Sequence, residues 1–222
     1  MSAWEDLYAE YKDFLHNNST VQAYWDKAKN GEADYDDAMK YSQLIGTKMF
    51  ELVEKHIGIQ TEITDYESYA EDVAKAIQNG YTSTAYFTKY VQQAINDDAG
   101  VGMRVIEPKL AEGRLDYVKN ALKLGAMVLT ANEIINDTDA AVTDTIEANA
   151  EMQEDAGLTV YVTRDTFGRC CDWCEEHAGT YVKGEEPDGF WSKHTNCSCE
   201  WFTEIRKNTR TGTISSGRTR VR

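Results

Sequence analysis

All the cysteines of this chain are crowded into one short segment near its end. The five cysteines lie between positions 170 and 199, together with two of the four histidines, His177 and His194. Positions 1–169 contain no cysteine. Because thiolates and imidazoles are the ligands that zinc prefers, this clustering predicts a metal-stabilised module at one end of a chain whose remainder folds by other means.

The cysteines are spaced as two groups separated by a longer loop. Cys171 and Cys174 form a Cys-x2-Cys pair, and after 19 intervening residues come His194, Cys197 and Cys199 in the order His-x2-Cys-x-Cys. A Cys-x2-Cys turn brings two sulfur atoms within reach of one tetrahedral ion, and a second pair from a later turn completes the site. We therefore predict a structural Zn²⁺ with ligands drawn from these five residues.

The spacing leaves the full ligand set open. His194 with Cys197 gives a tight knuckle, Cys199 is the alternative to Cys197, and both cysteines without His194 give an all-cysteine site. Disulfides are a rival interpretation, but the number of cysteines is odd and the acidic N-terminus does not resemble an export signal. Cys170 and His177 are interpreted as residues outside the ligand set. Four nearby aromatic residues are predicted to cover the metal: Phe190, Trp191, Trp201 and Phe202.

The cysteine-free part of the chain has the periodicity of amphipathic helices. Apolar residues recur at spacings of three and four, and cap residues such as Asp65 precede several of these stretches. Asn79-Gly80 is expected to end one helix, with another starting directly after it. Helices are predicted at residues 3–16, 20–29, 34–57, 65–79, 82–99, 109–124 and 139–156.

The pattern changes to alternation after Gly157. Leu158, Val160 and Val162 alternate with polar residues as in a strand, and 199–205 is expected to be a returning strand. We therefore predict a mainly α fold with an elongated helical N-terminal part and a small α+β zinc-binding C-terminal domain. The predicted parts are a helical segment at 1–157, a zinc-knuckle domain at 158–205 and a basic flexible tail at 206–222.

The charge of the chain is divided unevenly. The formal net charge is −15, yet residues 206–222 contain six Lys and Arg and no Asp or Glu. The remaining 17 basic and 38 acidic residues give residues 1–205 a formal charge of −21. An acidic body disfavours broad contact with DNA, so we expect any DNA contact to be made through the basic tail. No apolar run approaches the length of a membrane span, and we expect a soluble protein made in the cytoplasm.

The C-terminal motif resembles a known family. The run RDTFGRCCDWCEEHAGTYV, followed by HTNCSCEW, is similar to the C-terminal domain of phage minor head proteins of the Mu F type. The resemblance covers residues 140–205, while Thr195, Ser198 and the additional Cys170 depart from the family pattern. The matching residues are Asp165, Cys171, Cys174, Gly179, His194, Asn196, Cys197 and Cys199.

The resemblance implies a virion structural protein. Such proteins are associated with the portal vertex inside the capsid and aid head assembly or DNA delivery. It implies the portal protein or the major capsid protein as partners, and location in the virion after synthesis in the host cytoplasm.

Other functional classes give weaker matches to the residues. We expect no enzymatic activity, because the helices contain no nucleophile motif, no Gly-rich phosphate loop and no convincing pair of carboxylates. The alternative function is a zinc-dependent nucleic-acid-binding or regulatory module that uses the basic tail as its phosphate contact.

Overall fold

The computed structural model describes residues 3–57, 65–123, 131–166, 171–193, 199–209 and 212–216. It confirms a mainly helical protein with a small antiparallel sheet. None of the helices in these ranges is long and apolar enough to cross a membrane. The elements in chain order are α1 (Ala3–Asn17), α2 (Ser19–Lys29), α3 (Tyr35–His56), α4 (Tyr66–Asp98), α5 (Glu112–Lys123), α6 (Ala131–Asp155), β1 (Thr159–Asp165), α7 (Asp172–Glu176), β2 (Gly179–Val182), β3 (Glu200–Thr209) and β4 (Gly212–Ser216).

Side-chain caps fix where several helices begin. The Asn18 side chain accepts hydrogen bonds from the amides of Thr20 and Val21, which begins α2. Asp34 and Asp37 form a reciprocal capping box at the start of α3. Each cap satisfies amide groups that have no partner within the helix.

The helices form a bundle around α3, α4 and α6. α4 has 33 residues and is therefore about 50 Å long. The prediction that one helix ends at Gly80 is wrong, because α4 continues through it. A Cβ at Gly80 would lie 3.0 Å from the Thr138 hydroxyl oxygen, so the glycine permits close packing of α6.

Two further helices differ from the sequence prediction in where they begin. α5 begins at Glu112 rather than 109, and α6 begins at Ala131 rather than 139. Ile134 is fully buried, and the Thr138 hydroxyl donates to its carbonyl at 2.7 Å. The first turns of α6 are therefore held by tertiary burial, which the local sequence pattern did not reveal.

The four strands form one antiparallel sheet in the order β2-β1-β3-β4. In β1, Val160, Val162 and Arg164 share the buried face. The register places Arg164 opposite Trp201 of β3 and opposite Gly179 of β2. An arginine therefore occupies the third inward position of the central strand.

The sheet and the bundle share one hydrophobic core. Buried residues of β1 and β3 belong to the same cluster as those of α1 to α6. The Tyr35 hydroxyl donates to Gln92 of α4 at 2.5 Å and lies 2.9 Å from the Thr203 hydroxyl of β3. The chain changes from helix to strand at Gly157, but this point does not separate two independent cores.

Part of the predicted basic tail is described by the structure. β3 continues to Thr209 and pairs with β4, so residues 206–209 and 212–216 lie in strands, and the other residues of the predicted tail lie outside the described ranges. Arg206 donates to Glu204 at 2.9 Å and stacks on the Tyr161 ring at 4.3 Å. Strand pairing and these contacts hold the beginning of the basic segment against the sheet.

Candidate metal centre

The first cysteine pair lies at the start of the short helix α7. Cys171 is the N-cap residue and Cys174 is the third helical residue, and the Glu175 amide donates to the Cys171 carbonyl at 3.1 Å. An N-cap side chain and the third residue of a helix face each other in capping geometry. Cys171 is exposed and Cys174 is 1% exposed, so the pair extends from the surface into the core.

The third described cysteine lies at the same end of the sheet. Cys199 is fully buried and directly precedes Glu200, which pairs with Asp165 at the end of β1. The neighbouring β1 residue, Arg164, has its Nη2 3.8 Å from the Cys174 sulfur. Two buried sulfur atoms therefore lie near the end of the β1–β3 pair, although they are 25 residues apart in sequence.

Part of the predicted ligand set falls outside the described ranges. His194 and Cys197 are among these residues, as are Asn196 and the additional Cys170. Within the ranges that are described, no group of three or more His, Cys, Asp or Glu side chains could hold a metal ion. The five-residue zinc set stays a prediction. The three described cysteines fit zinc in their chemistry, since two lie in one turn and two have buried sulfur atoms.

A column of packed cationic and aromatic side chains lies beside Cys174. The Arg164 guanidinium lies 4.8 Å from the Trp173 ring and 4.9 Å from the Trp201 ring. His177 stacks on the Trp173 ring at 4.2 Å, and the Lys193 ammonium lies 5.2 Å from the Trp201 ring. We call these five residues the arginine column. Such stacking stabilises cations that have lost water contacts.

The arginine column reaches the helical bundle at one end. The Lys193 ammonium lies 4.0 Å from Asp139 of α6, and Asp139 also accepts a hydrogen bond from Ser42 of α3. Lys193 and Cys199 are the described residues on either side of the segment that contains His194 and Cys197. Lys193 lies against Trp201 of β3, and Cys199 directly precedes the first residue of the same strand.

Hydrogen bonds to the Glu186 carboxylate hold the loop that ends at Phe190. Desolvation would raise the pKa of Glu186, but hydrogen bonds from Lys183 and Trp191 lower it to about 2. The Gly184 amide also donates to this carboxylate at 2.5 Å. These contacts hold the segment that ends at Phe190, whose carbonyl accepts from the Trp201 indole at 3.1 Å.

The four aromatic residues that were predicted to cover the metal differ in how deeply they are buried. Phe190 and Trp201 are buried, whereas Trp191 and Phe202 are half-buried. His177, which was interpreted as a surface residue outside the ligand set, is partly buried, and its Nδ1–H donates to the Trp173 carbonyl at 2.8 Å. It belongs to the arginine column.

The residue that sequence reasoning missed is Arg164. The alternation of Leu158, Val160 and Val162 leads directly to this position, so the sequence did contain a signal. A basic residue at an inward strand position is unusual unless its charge is paired or stacked.

Two other residues that match the family pattern are described. Asp165 accepts a hydrogen bond from the Thr166 amide at 2.8 Å. Gly179 has a φ of 144° beside the Tyr181 ring.

Comparison with known proteins identifies no relative. No protein-family model matches the chain, and no curated protein and no solved structure matches it. The functional proposal therefore rests on the residues of this chain and on the resemblance of its cysteine motif.

Proposed function

We propose that this protein is a structural component of a phage virion, a minor head protein associated with the portal vertex inside the capsid. Its C-terminal module folds around a structural zinc ion, and its helical part contacts the portal protein or the major capsid protein. It aids head assembly or DNA delivery and has no enzymatic role.

The observation that carries the proposal is the placement of the cysteine sulfur atoms. Cys174 and Cys199 are buried at one end of the sheet, and Cys171 shares a turn with Cys174. Catalytic cysteines are partly exposed so that a substrate can reach them, whereas structural zinc sites are closed. Burial therefore supports a structural role for a motif that already resembles the minor head proteins.

The zinc ligands in this proposal come from both halves of the motif. Cys171 and Cys174 supply one pair, and two of His194, Cys197 and Cys199 supply the other. The ion contributes folding free energy by joining α7 to the start of β3.

The charge distribution supports a position beside packaged DNA. Residues 1–205 have a formal charge of −21, which disfavours adhesion to duplex DNA along the bundle. The basic residues after position 206 supply the one cationic segment that could contact DNA or an acidic partner surface.

The first test is mass spectrometry of purified particles from the source phage or prophage. We expect the chain in the particles at low copy number, and we expect it to co-purify with the portal protein after mild disruption of the head. Absence from particles, with abundant protein in the producing cells, would contradict the virion role.

The second test measures zinc in the purified, reduced chain by native mass spectrometry. We expect about one zinc ion per chain, lost in Cys174→Ser and retained in the matched control Cys170→Ser. Comparison of His194→Ala, Cys197→Ser and Cys199→Ser then identifies which residues complete the site.

The alternative function is tested on the same material. If the chain is absent from particles but binds zinc, duplex DNA binding should be measured at several salt concentrations with and without residues 206–222. A steep salt dependence that disappears with those residues would support a zinc-dependent nucleic-acid-binding module.

A further inference from the structure

Arg164 is a buried cation inside the small sheet. It is 1% exposed and lies on the same face of β1 as the fully buried Val160 and Val162. Removing a guanidinium from water is costly unless its surroundings supply hydrogen bonds and favourable charge. Its position therefore requires a specific arrangement of neighbours.

The neighbours of Arg164 come from three separate segments. Its Nη1 donates to the carbonyls of Phe190 at 2.9 Å and Gly189 at 3.2 Å. Its Nη2 lies 3.8 Å from the Cys174 sulfur, and its Cζ lies over the Trp173 ring at 4.8 Å and over the Trp201 ring at 4.9 Å. One side chain thus joins β1 to α7, to β3 and to the loop before the second ligand group.

We propose that Arg164 is a positioning residue of the metal centre, which holds the Cys174 sulfur and fixes the turn of α7 to the sheet. This inference rests on the proposed zinc site. In metal sites, hydrogen bonds to the ligand atoms orient those ligands and tune their binding. Arg164 supplies such a bond to the sulfur of Cys174.

The geometry requires arginine rather than any cation. A guanidinium is planar and has several N–H groups in a fixed fork, so it can stack between two rings while donating to carbonyls and to sulfur. A lysine ammonium has the same charge but cannot make both stacking contacts and the bonds to Phe190, Gly189 and Cys174 together. The variant Arg164→Lys therefore separates charge from geometry.

Arg206 provides a matched control in the same sheet. It also stacks on an aromatic ring, at 4.3 Å from the centre of Tyr161, but it pairs with Thr159 at the opposite end of the β1–β3 register. Its substitution removes an arginine and a cation–aromatic contact away from the cysteines. Arg206→Met is therefore expected to leave metal binding unchanged.

The experiment titrates the full reduced chain with Co²⁺ and then displaces the Co²⁺ with Zn²⁺. We expect Arg164→Met and Arg164→Lys to weaken metal affinity by about 10–100-fold, the range seen when supporting groups around metal ligands are removed. We also expect a shift of the sulfur-to-cobalt charge-transfer band, because a hydrogen bond to sulfur lowers its electron-donating power. A loss of packing alone would not move this band.

A measurement on the unaltered protein guards against variants that fail to fold. The side-chain ¹⁵N–¹H signals of Arg164 should shift on Zn²⁺ addition, and those of Arg206 should stay in place. Equal behaviour of the two arginines, or unchanged affinity and band position in folded Arg164 variants, would overturn the inference. If the unaltered chain binds neither Co²⁺ nor Zn²⁺, the proposed zinc site itself is wrong.

Discussion

The helical bundle and the small sheet are held together by different means. The bundle buries apolar side chains along several long helices, whereas the sheet places a buried arginine beside the buried sulfur of Cys174. A small structural unit buries a smaller share of its surface, so it often depends on additional cross-links. In our proposal a zinc ion supplies that cross-link, which would account for the position of the cysteines near one end of the chain.

The two regions nevertheless support each other. Tyr35 connects α3 and α4 to Thr203 of β3, and Asp139 of α6 lies beside Lys193 of the arginine column. The two regions are therefore joined by these polar contacts as well as by the shared hydrophobic core.

Metal removal should have the largest effect, and we expect that effect to be greater in the sheet than in the helical bundle. After treatment with a strong chelator, we expect faster hydrogen exchange in β1, β2 and β3 and little change in α3, α4 and α6. Exchange measured by mass spectrometry on peptides from each region tests this. Equal loss of protection in the bundle would mean that the metal stabilises the whole molecule.

Removal of a central aromatic residue of the bundle should come next in size. Phe87 is fully buried and stacks on Tyr41 at 4.2 Å, so Phe87→Ala should lower the free energy of unfolding by about 3–5 kcal/mol. Urea denaturation followed by far-ultraviolet circular dichroism measures this. Tyr117→Ala, at an exposed position of α5, is the control, and it should change the free energy of unfolding by no more than about 0.5 kcal/mol.

Filling a close contact between helices should have an intermediate effect. A Cβ at Gly46 would lie 2.9 Å from the Ile135 backbone, so Gly46→Ala should destabilise the protein by about 1–3 kcal/mol despite its better helix propensity. Gly113 in α5 has open space, and Gly113→Ala should stabilise by about 0.5–1 kcal/mol. Thermal melts of the two variants should shift in opposite directions. The same sign in both would show that the helices separate easily at Gly46.

The smallest expected effect is a pH dependence of stability that a buried carboxylate of the helical bundle causes. Burial raises the pKa of Asp137 to about 6, with Arg114 opposing and Asp144 and Glu133 adding to the rise. The folded state then holds a proton that the unfolded chain releases near pH 4. Stability due to this group should therefore fall as pH rises from about 4 to about 6, by about 1–2 kcal/mol.

Asp137→Asn tests this directly. The variant should lose the decline between about pH 4.5 and about pH 6 and should be more stable than the parent at neutral pH. Glu10 contributes in the opposite direction at lower pH, because hydrogen bonds from Lys55 and His56 lower its pKa to about 2. Asp116→Asn, at an exposed position of α5, is the control. An unchanged pH profile in Asp137→Asn would assign the decline to another group.

Local patterns in the sequence were sufficient for most of the secondary structure. The periodicity over 3–16 and 34–57, the cap at Asp65, and the alternation after Gly157 each depend on neighbours within a few residues. The cysteine spacing likewise identified a candidate site, because ligands within one turn are constrained by the chain itself.

Tertiary contacts decided the features for which local sequence patterns were ambiguous or gave a wrong prediction. Gly80 resembles a helix end until Thr138 is found against it, because a glycine can equally serve a close helix contact. Arg164 resembles a surface charge until Trp173, Trp201 and Cys174 surround it. These neighbours come from distant parts of the chain, and long-range packing is the information that a reading of adjacent residues lacks.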